Sequence, residues 1–180
     1  WISTGGGYFM YEAPHLTDQI SWLMGSQIET IFAVGMGCYV SAGDGEDNGI
    51  AGFRFKSGSF GAIHRGSSID GPRLFDTRII GTKGMLDISH GSYVRLGKNG
   101  KWKDISFPFK AAPMLETPWG ERDPIGFHGF RAEFEEFVSS IEEDRQPSCT
   151  AYDGRASIEA ALAVRESHAT GVPVNLPLVM

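Results

Sequence analysis

His15 and Asp18 stand three residues apart in the stretch Gly5-Gly6-Gly7-Tyr8-Phe9-Met10-Tyr11-Glu12-Ala13-Pro14-His15-Leu16-Thr17-Asp18. An imidazole takes or gives a proton near neutral pH. A carboxylate one helical turn away can orient it or hold a ligand hydroxyl. Pro14 suits the first position of a helix, where its missing N–H costs nothing. A helix is therefore expected from Pro14 to about Met24, with Gly25 as its stop. On that reading His15 lies in the first turn, where the positive end of the helix dipole disfavours an imidazolium. Leu16, Ile20, Leu23 and Met24 share one arc, and His15, Asp18 and Trp22 the next, giving a core face and a polar face beside an aromatic ring. The plainer alternative, a capping His15 and a solvated Asp18, fits the spacing equally well.

The glycines before this helix admit two readings. Their backbone N–H groups could cradle an anion, or they could let this segment pack closely against another. The stretch lacks the Walker lysine and the strand–glycine–helix order of a dinucleotide site, so close packing is the expectation. Asp44, Glu46, Asn48 and Gly49 loosely resemble the start of a calcium loop, but Phe55 stands where the bidentate glutamate belongs, so no metal site is expected. His64, His90, His128 and His168 show no ligand spacing. Cys38 and Cys149 form no Cys-x-x-Cys pair and read as two buried reduced thiols in a cytoplasmic setting.

The elements that must position these residues follow from pattern. The 180 residues carry a net charge of -6 with no basic cluster, which argues against a nucleic-acid partner. No apolar run approaches the ~18 residues of a membrane span. Hydrophobic and charged fractions of 41% and 21% fit one globular domain over residues 1–180. Tyr8 to Tyr11 reads as a short aromatic strand. Thr30 to Val40 is β-rich, and glycine-containing turns then separate three hairpins: Ala51–Lys56 with Phe60–Ser67, Phe75–Ile80 with Met85–Ser89, and Ser92–Leu96 with Trp102–Phe107. Lys110 to Gly126 reads as a long loop. Phe127, Phe130, Phe134, Phe137, Val138 and Ile141 recur at helical spacing. A second helix is expected over Gly154–Thr170, capped by Asp153 and stopped by Gly171, before a last edge strand. Hairpins in series exclude a βαβ pattern. The expected class is α+β: an open, mostly antiparallel sheet with helices packed on one face.

Three stretches then carry a resemblance. Gly5-Gly6-Gly7 leading to His-x-x-Asp and Trp22-Leu23-Met24-Gly25 is similar to the opening of the C-terminal domain of the Gfo/Idh/MocA oxidoreductases. Gly52 to Gly61 leading to Ile79-Ile80-Gly81-Thr82-Lys83-Gly84-Met85-Leu86 resembles that family's central hairpins. Phe134-Glu135-Glu136-Phe137 through Asp153-Gly154-Arg155-Ala156 to Thr170-Gly171-Val172-Pro173-Val174 resembles its closing helices. The resemblance covers nearly the whole chain and implies a glyceraldehyde-3-phosphate dehydrogenase-like C-terminal fold. It implies a substrate and oligomerisation domain, with the dinucleotide-binding Rossmann domain absent from this chain. NAD or NADP is then expected in the full-length protein, and no cofactor and no activity in the isolated chain. The implied substrate is a sugar or polyol, and the implied assembly is a homodimer or higher oligomer through the sheet face. By the same resemblance His15, Asp18 and Tyr11 are candidate catalytic residues, and Glu12 and Trp22 candidate substrate contacts. Tyr11 departs from the family pattern, which often places an aspartate there; a tyrosine donates a hydrogen bond but is a poor base near neutral pH. The alternative is a non-catalytic ligand-binding or oligomerisation module of the same fold.

Overall fold

The computed structural model describes residues 7–37, 45–66, 76–89, 93–105, 115–117, 120–122 and 124–178. Gly5, Gly6, Cys38, Asp44 and His90 lie outside the described residues. Among the described residues, three helices and ten strands form an α+β fold whose strand pairs are all antiparallel, as the hairpin pattern implies. The chain divides into two compact units, residues 1–70 with 148–180, and residues 71–147.

The first unit holds helices α1 (Tyr8–Met24) and α3 (Ala151–Thr170) and a sheet ordered β10-β1-β2-β3. Its strands are β1 (Ile28–Gly37), β2 (Asn48–Phe55), β3 (Phe60–Gly66) and β10 (Val174–Asn175). Ile31, Ala33, Ala51, Phe55, Ile63 and Val174 point to the buried side of this sheet and share one core with Ala13 of α1 and Ala160, Ala161, Ala163 and Val164 of α3. The alanines let the two helices approach each other closely. The opposite sheet face exposes Phe32, Val34, Ile50 and Phe60. Buried Ser167 fastens α3 to β1: its Oγ accepts the Ala33 N–H at 2.9 Å and donates to the Val172 carbonyl at 2.7 Å.

Two helix starts differ from expectation. The aromatic run from Tyr8 to Tyr11 is the first turn of α1, not a strand, and Pro14 lies inside the helix. A buried stripe of Met10, Ala13, Thr17, Ile20 and Met24 explains this, since each packs inward at alternating three- and four-residue steps. Packing of that stripe outweighs both aromatic β propensity and the hydrogen bond that Pro14 cannot make. Gly25 stops α1 as expected, in the left-handed region at φ 58°, with the Gly25 and Ser26 N–H groups returning to the Trp22 and Ser21 carbonyls. In α3, Thr150 is the N-cap and Asp153 stands at the third helical position. The Asp153 carboxylate accepts the Thr150 hydroxyl at 2.6 Å and its N–H at 2.7 Å, and these bonds hold its carboxyl below the usual range. Cys149, just before this cap, is exposed rather than buried.

The second unit carries a meander of β4 (Asp76–Gly81), β5 (Gly84–Ser89), β6 (Tyr93–Lys98) and β7 (Lys101–Asp104). Asn99 and Gly100 turn β6 into β7 with φ of 52° and 71°, the two positive values that a tight type I′ hairpin requires. The stretch read as a long loop contains a small hairpin, β8 (Leu115–Thr117) with β9 (Gly120–Arg122), and helix α2 (Pro124–Glu142) opens on Pro124. Its apolar stripe, Phe130, Phe134, Phe137 and Ile141, is exposed.

Asp87 is the second unit's one buried charge among the described residues. Its side chain is 3% exposed, and its register partners are Arg78 on β4 and Arg95 on β5's other neighbour. Arg95 donates to it at 2.7 and 2.8 Å, and Arg78 at 3.2 and 3.3 Å. The Arg95 guanidinium also lies over the Tyr93 and Trp102 rings, 4.6 and 4.7 Å from their centroids. The hydrogen bond from Arg95, assisted by Arg78 and opposed by burial, lowers the Asp87 carboxyl pKa. A depressed folded-state value stabilises above the unfolded value of about 3.9 and is lost as pH falls through the folded one. Thermal melts from neutral pH to pH ~3 should therefore show the second unit loosening in acid. Asp87→Asn should lower the melting temperature at neutral pH and flatten that acid dependence.

Candidate functional site

The expected site residues lie on α1, and the helix itself sorts them. At about 100° per residue, Tyr11, His15, Asp18 and Trp22 fall within about 60° of arc, on the side opposite the buried stripe. The stripe runs about 16 Å along the helix. All four side chains are exposed, Tyr11 at 53% and Trp22 at 79%. His15 lies beyond the first turn of α1, so the dipole argument based on a start at Pro14 does not apply to it. What the helix does supply is alignment: His15 and Asp18 are surface neighbours at three-residue spacing, and Tyr11 precedes His15 by four.

The two ends of this stripe have different surroundings. Asp18 and Trp22 line a cavity of about 780 Å³, together with Ser21, Lys56, Tyr152 and Asp153. Its walls are the C-terminal half of α1, the first turns of α3 and the β2–β3 turn. Neither Tyr11 nor His15 lines it. At the other end, Glu12 is turned off the stripe toward β3, where its carboxylate pairs with the Arg65 guanidinium.

Two residues whose place here the sequence did not show shape this second end. Arg65 reads in sequence as an ordinary polar residue near a strand end, and only the fold brings it to Glu12. Glu46 loosely resembles part of a calcium loop in sequence, yet its carboxylate lies against Gly7, the N-cap of α1. There the N-terminal N–H groups of the helix favour a negative charge. Gly7 has φ 92°, and a Cβ added to it would stand 2.0 Å from a Glu46 carboxylate oxygen. This agrees with the close-packing reading of the glycine run at its one described position. His64 on β3 and His168 in the last turn of α3 are both exposed.

An antiparallel sheet backed by helices, with a histidine-bearing helix leading into it, defines an α+β domain. Residues 3–176 match the family described as "Oxidoreductase family, C-terminal alpha/beta domain". The chain belongs to the Gfo/Idh/MocA oxidoreductase family, as its C-terminal domain. It is 25% identical to the uncharacterized oxidoreductase YrbE of Bacillus subtilis over 98% of this chain and 50% of that protein. Its fold is similar to the WlbA dehydrogenase of Bordetella pertussis, solved with NADH and UDP-GlcNAcA, at TM-score 0.68 and 23% identity over 97% of this chain and 46% of that one. It is also similar to the aldose-aldose oxidoreductase of Caulobacter crescentus, solved with glycerol, at TM-score 0.74 and 18% identity over 94% and 48%. The chain thus spans about half the length of the proteins it matches. No described helix is long and apolar enough to cross a membrane.

Proposed function

We propose that this chain is the substrate-binding half of an NAD(P)-dependent oxidoreductase acting on a sugar or polyol hydroxyl or the corresponding carbonyl. The observation that carries the reading is the α1 stripe, which places His15 between Tyr11 and Asp18 on an open helix face in a chain of this family. Among the described residues no strand leads through a glycine-rich turn into a helix, the arrangement of a dinucleotide fingerprint. When bound elsewhere in the full-length protein, the nicotinamide supplies the acceptor or donor of the hydride. In the oxidation direction His15 takes the substrate hydroxyl proton as the carbon gives up its hydride and the C=O bond forms. Asp18 orients the imidazole or holds a neighbouring hydroxyl, and Tyr11 donates a hydrogen bond where relatives often have an aspartate. Trp22 offers a flat apolar face for a sugar ring, and Glu12 borders the site from its pair with Arg65. The direct test is nicotinamide-coupled turnover by the full-length protein across a panel of sugars and polyols, with NADH and NADPH titrated separately. Absence of dinucleotide binding and of turnover overturns the proposal in favour of a non-catalytic module.

We further propose that copies of the protein associate through the open face of the first sheet. Phe32, Val34, Ile50 and Phe60 are 42%, 67%, 39% and 84% exposed there, apolar side chains spread across three strands with Arg54 and His64 among them. Sedimentation of the full-length protein should give a dimer or higher oligomer, and Val34→Asp with Phe60→Asp should shift it to monomer. A stable wild-type monomer at high concentration counts against this interface.

A further inference from the structure

The Glu12–Arg65 ion pair joins α1 to β3 across 53 residues of sequence, with side chains 22% and 12% exposed. Partial shielding from water strengthens such a pair relative to one on the open surface. On α1, Glu12 lies between the exposed stripe and the buried stripe. It adjoins Tyr11 in sequence and is a surface neighbour of His15 at three-residue spacing. The strand end that carries Arg65 is itself braced. Gly66 is the register partner of Asn48, and a Cβ on Gly66 would meet the Asn48 Oδ1 at 2.1 Å. Asn48 donates to the Asp47 Oδ1 at 2.8 Å, and the N–H of buried Asp47 donates to the Gly37 carbonyl at 2.9 Å. The same short segment places Glu46 against Gly7 at the start of α1.

The buried stripe of α1 is held mainly by apolar contacts, which are non-directional and resist a small roll of the helix only weakly, with one directional bond, at 3.4 Å, from the Thr17 hydroxyl to the Ser157 carbonyl of α3. The Arg65 guanidinium, on a braced strand end, donates through Nη2 to the Glu12 Oε2, a charge-assisted directional contact that resists such a roll more strongly. We propose that Arg65 is a positioning residue: by gripping Glu12 it fixes the rotation of α1 about its axis, and so the direction in which Tyr11 and His15 project. The catalytic consequence of this rests on the proposed function, but the positioning itself does not.

The test uses the full-length protein with Arg65→Met, Glu12→Gln and the exchanged pair Glu12→Arg with Arg65→Glu. Each is read by steady-state kinetics and by the ring signals of His15 in 13C-histidine-labelled protein, assigned with His15→Ala. Arg65→Met and Glu12→Gln should each lower kcat about ten- to a hundred-fold, with dinucleotide affinity unchanged, because small misplacements of reacting groups carry costs of that order. Both should displace or broaden the His15 signals, and the exchanged pair should regain most of the lost kcat. Unchanged His15 signals in Glu12→Gln, or an exchanged pair no better than the single variants, overturn the proposal. If Arg65→Met does not fold, the isosteric Glu12→Gln decides by the same readouts. Displaced signals with wild-type turnover uphold the positioning and refute the catalytic reading of His15 instead.

Discussion

His15→Ala in the full-length protein should reduce kcat by roughly 10²- to 10⁴-fold, the range that a positioned general base or acid contributes. Dinucleotide affinity should not change if His15 acts on the substrate hydroxyl alone, as proposed. The melting temperature should not change either: His15 is exposed, and surface substitutions away from special features stay within about 0.5 kcal/mol. This combination of lost turnover with intact fold and cofactor binding separates a chemical role from a structural one. No neighbour on the stripe offers a replacement of the same kind, since a tyrosine is a poor base at neutral pH and a carboxylate is a weak one. Asp18→Asn should have a smaller effect, because it removes an orienting charge and leaves the imidazole in place. Undiminished turnover by His15→Ala on the protein's own substrate would remove the catalytic assignment and favour a binding module.

The sequence made the punctuation of the fold legible where one residue's backbone chemistry decides it. Gly25 and Gly171 end their helices in the left-handed conformation, and the Asn99-Gly100 turn closes its hairpin with two positive φ angles. These are local effects, and local patterns report them. The start of α1 was not legible in this way. Tyr8, Phe9 and Tyr11 favour a strand by propensity, and Pro14 marks a helix start by preference, yet the stripe from Met10 to Met24 overrides both. That stripe is visible in the sequence only if Ala13 and Thr17 are counted as core positions, which their size and polarity discourage. The helix and the shared arc of His15, Asp18 and Trp22 were legible, whereas Tyr11, read as part of a strand, joins that arc only because the helix starts earlier. The contacts of Arg65 with Glu12 and of Glu46 with Gly7 were not legible, because only the closed fold creates them. Asp87 was missed for a related reason: a charge in a strand reads as solvent-facing, whereas here two in-register arginines permit its burial.

Phe55→Ala should be the most damaging single substitution for stability among those considered, costing about 3–5 kcal/mol. Phe55 is 2% exposed and is the largest side chain fully buried in the described core. Its ring meets Phe53 edge-on at a centroid distance of 5.4 Å, and it shares the core cluster with Ala13 of α1 and the alanines of α3. Its backbone also sets the β2–β3 turn, with its N–H donating to the Ser59 carbonyl at 2.8 Å and its carbonyl accepting the Gly58 N–H at 2.9 Å. Truncation keeps those backbone bonds and removes the ring, so the loss is one of transfer free energy and cavity formation. Native stabilities are about 5–15 kcal/mol in all, so a large share would go. For a chain of this size the melting temperature should fall by about 6–20 °C, and calorimetry or circular dichroism would measure it. Phe55→Leu should cost much less because it refills most of the volume. The kinetic signature is opposite to that of His15→Ala. Well below its lowered melting temperature, Phe55→Ala should keep near-normal kcat, because the outward stripe of α1 is untouched. Turnover should then fail over the same temperature range in which the first unit melts. A wild-type melting temperature for Phe55→Ala would mean that the core beneath α1 and α3 is not organised around this ring.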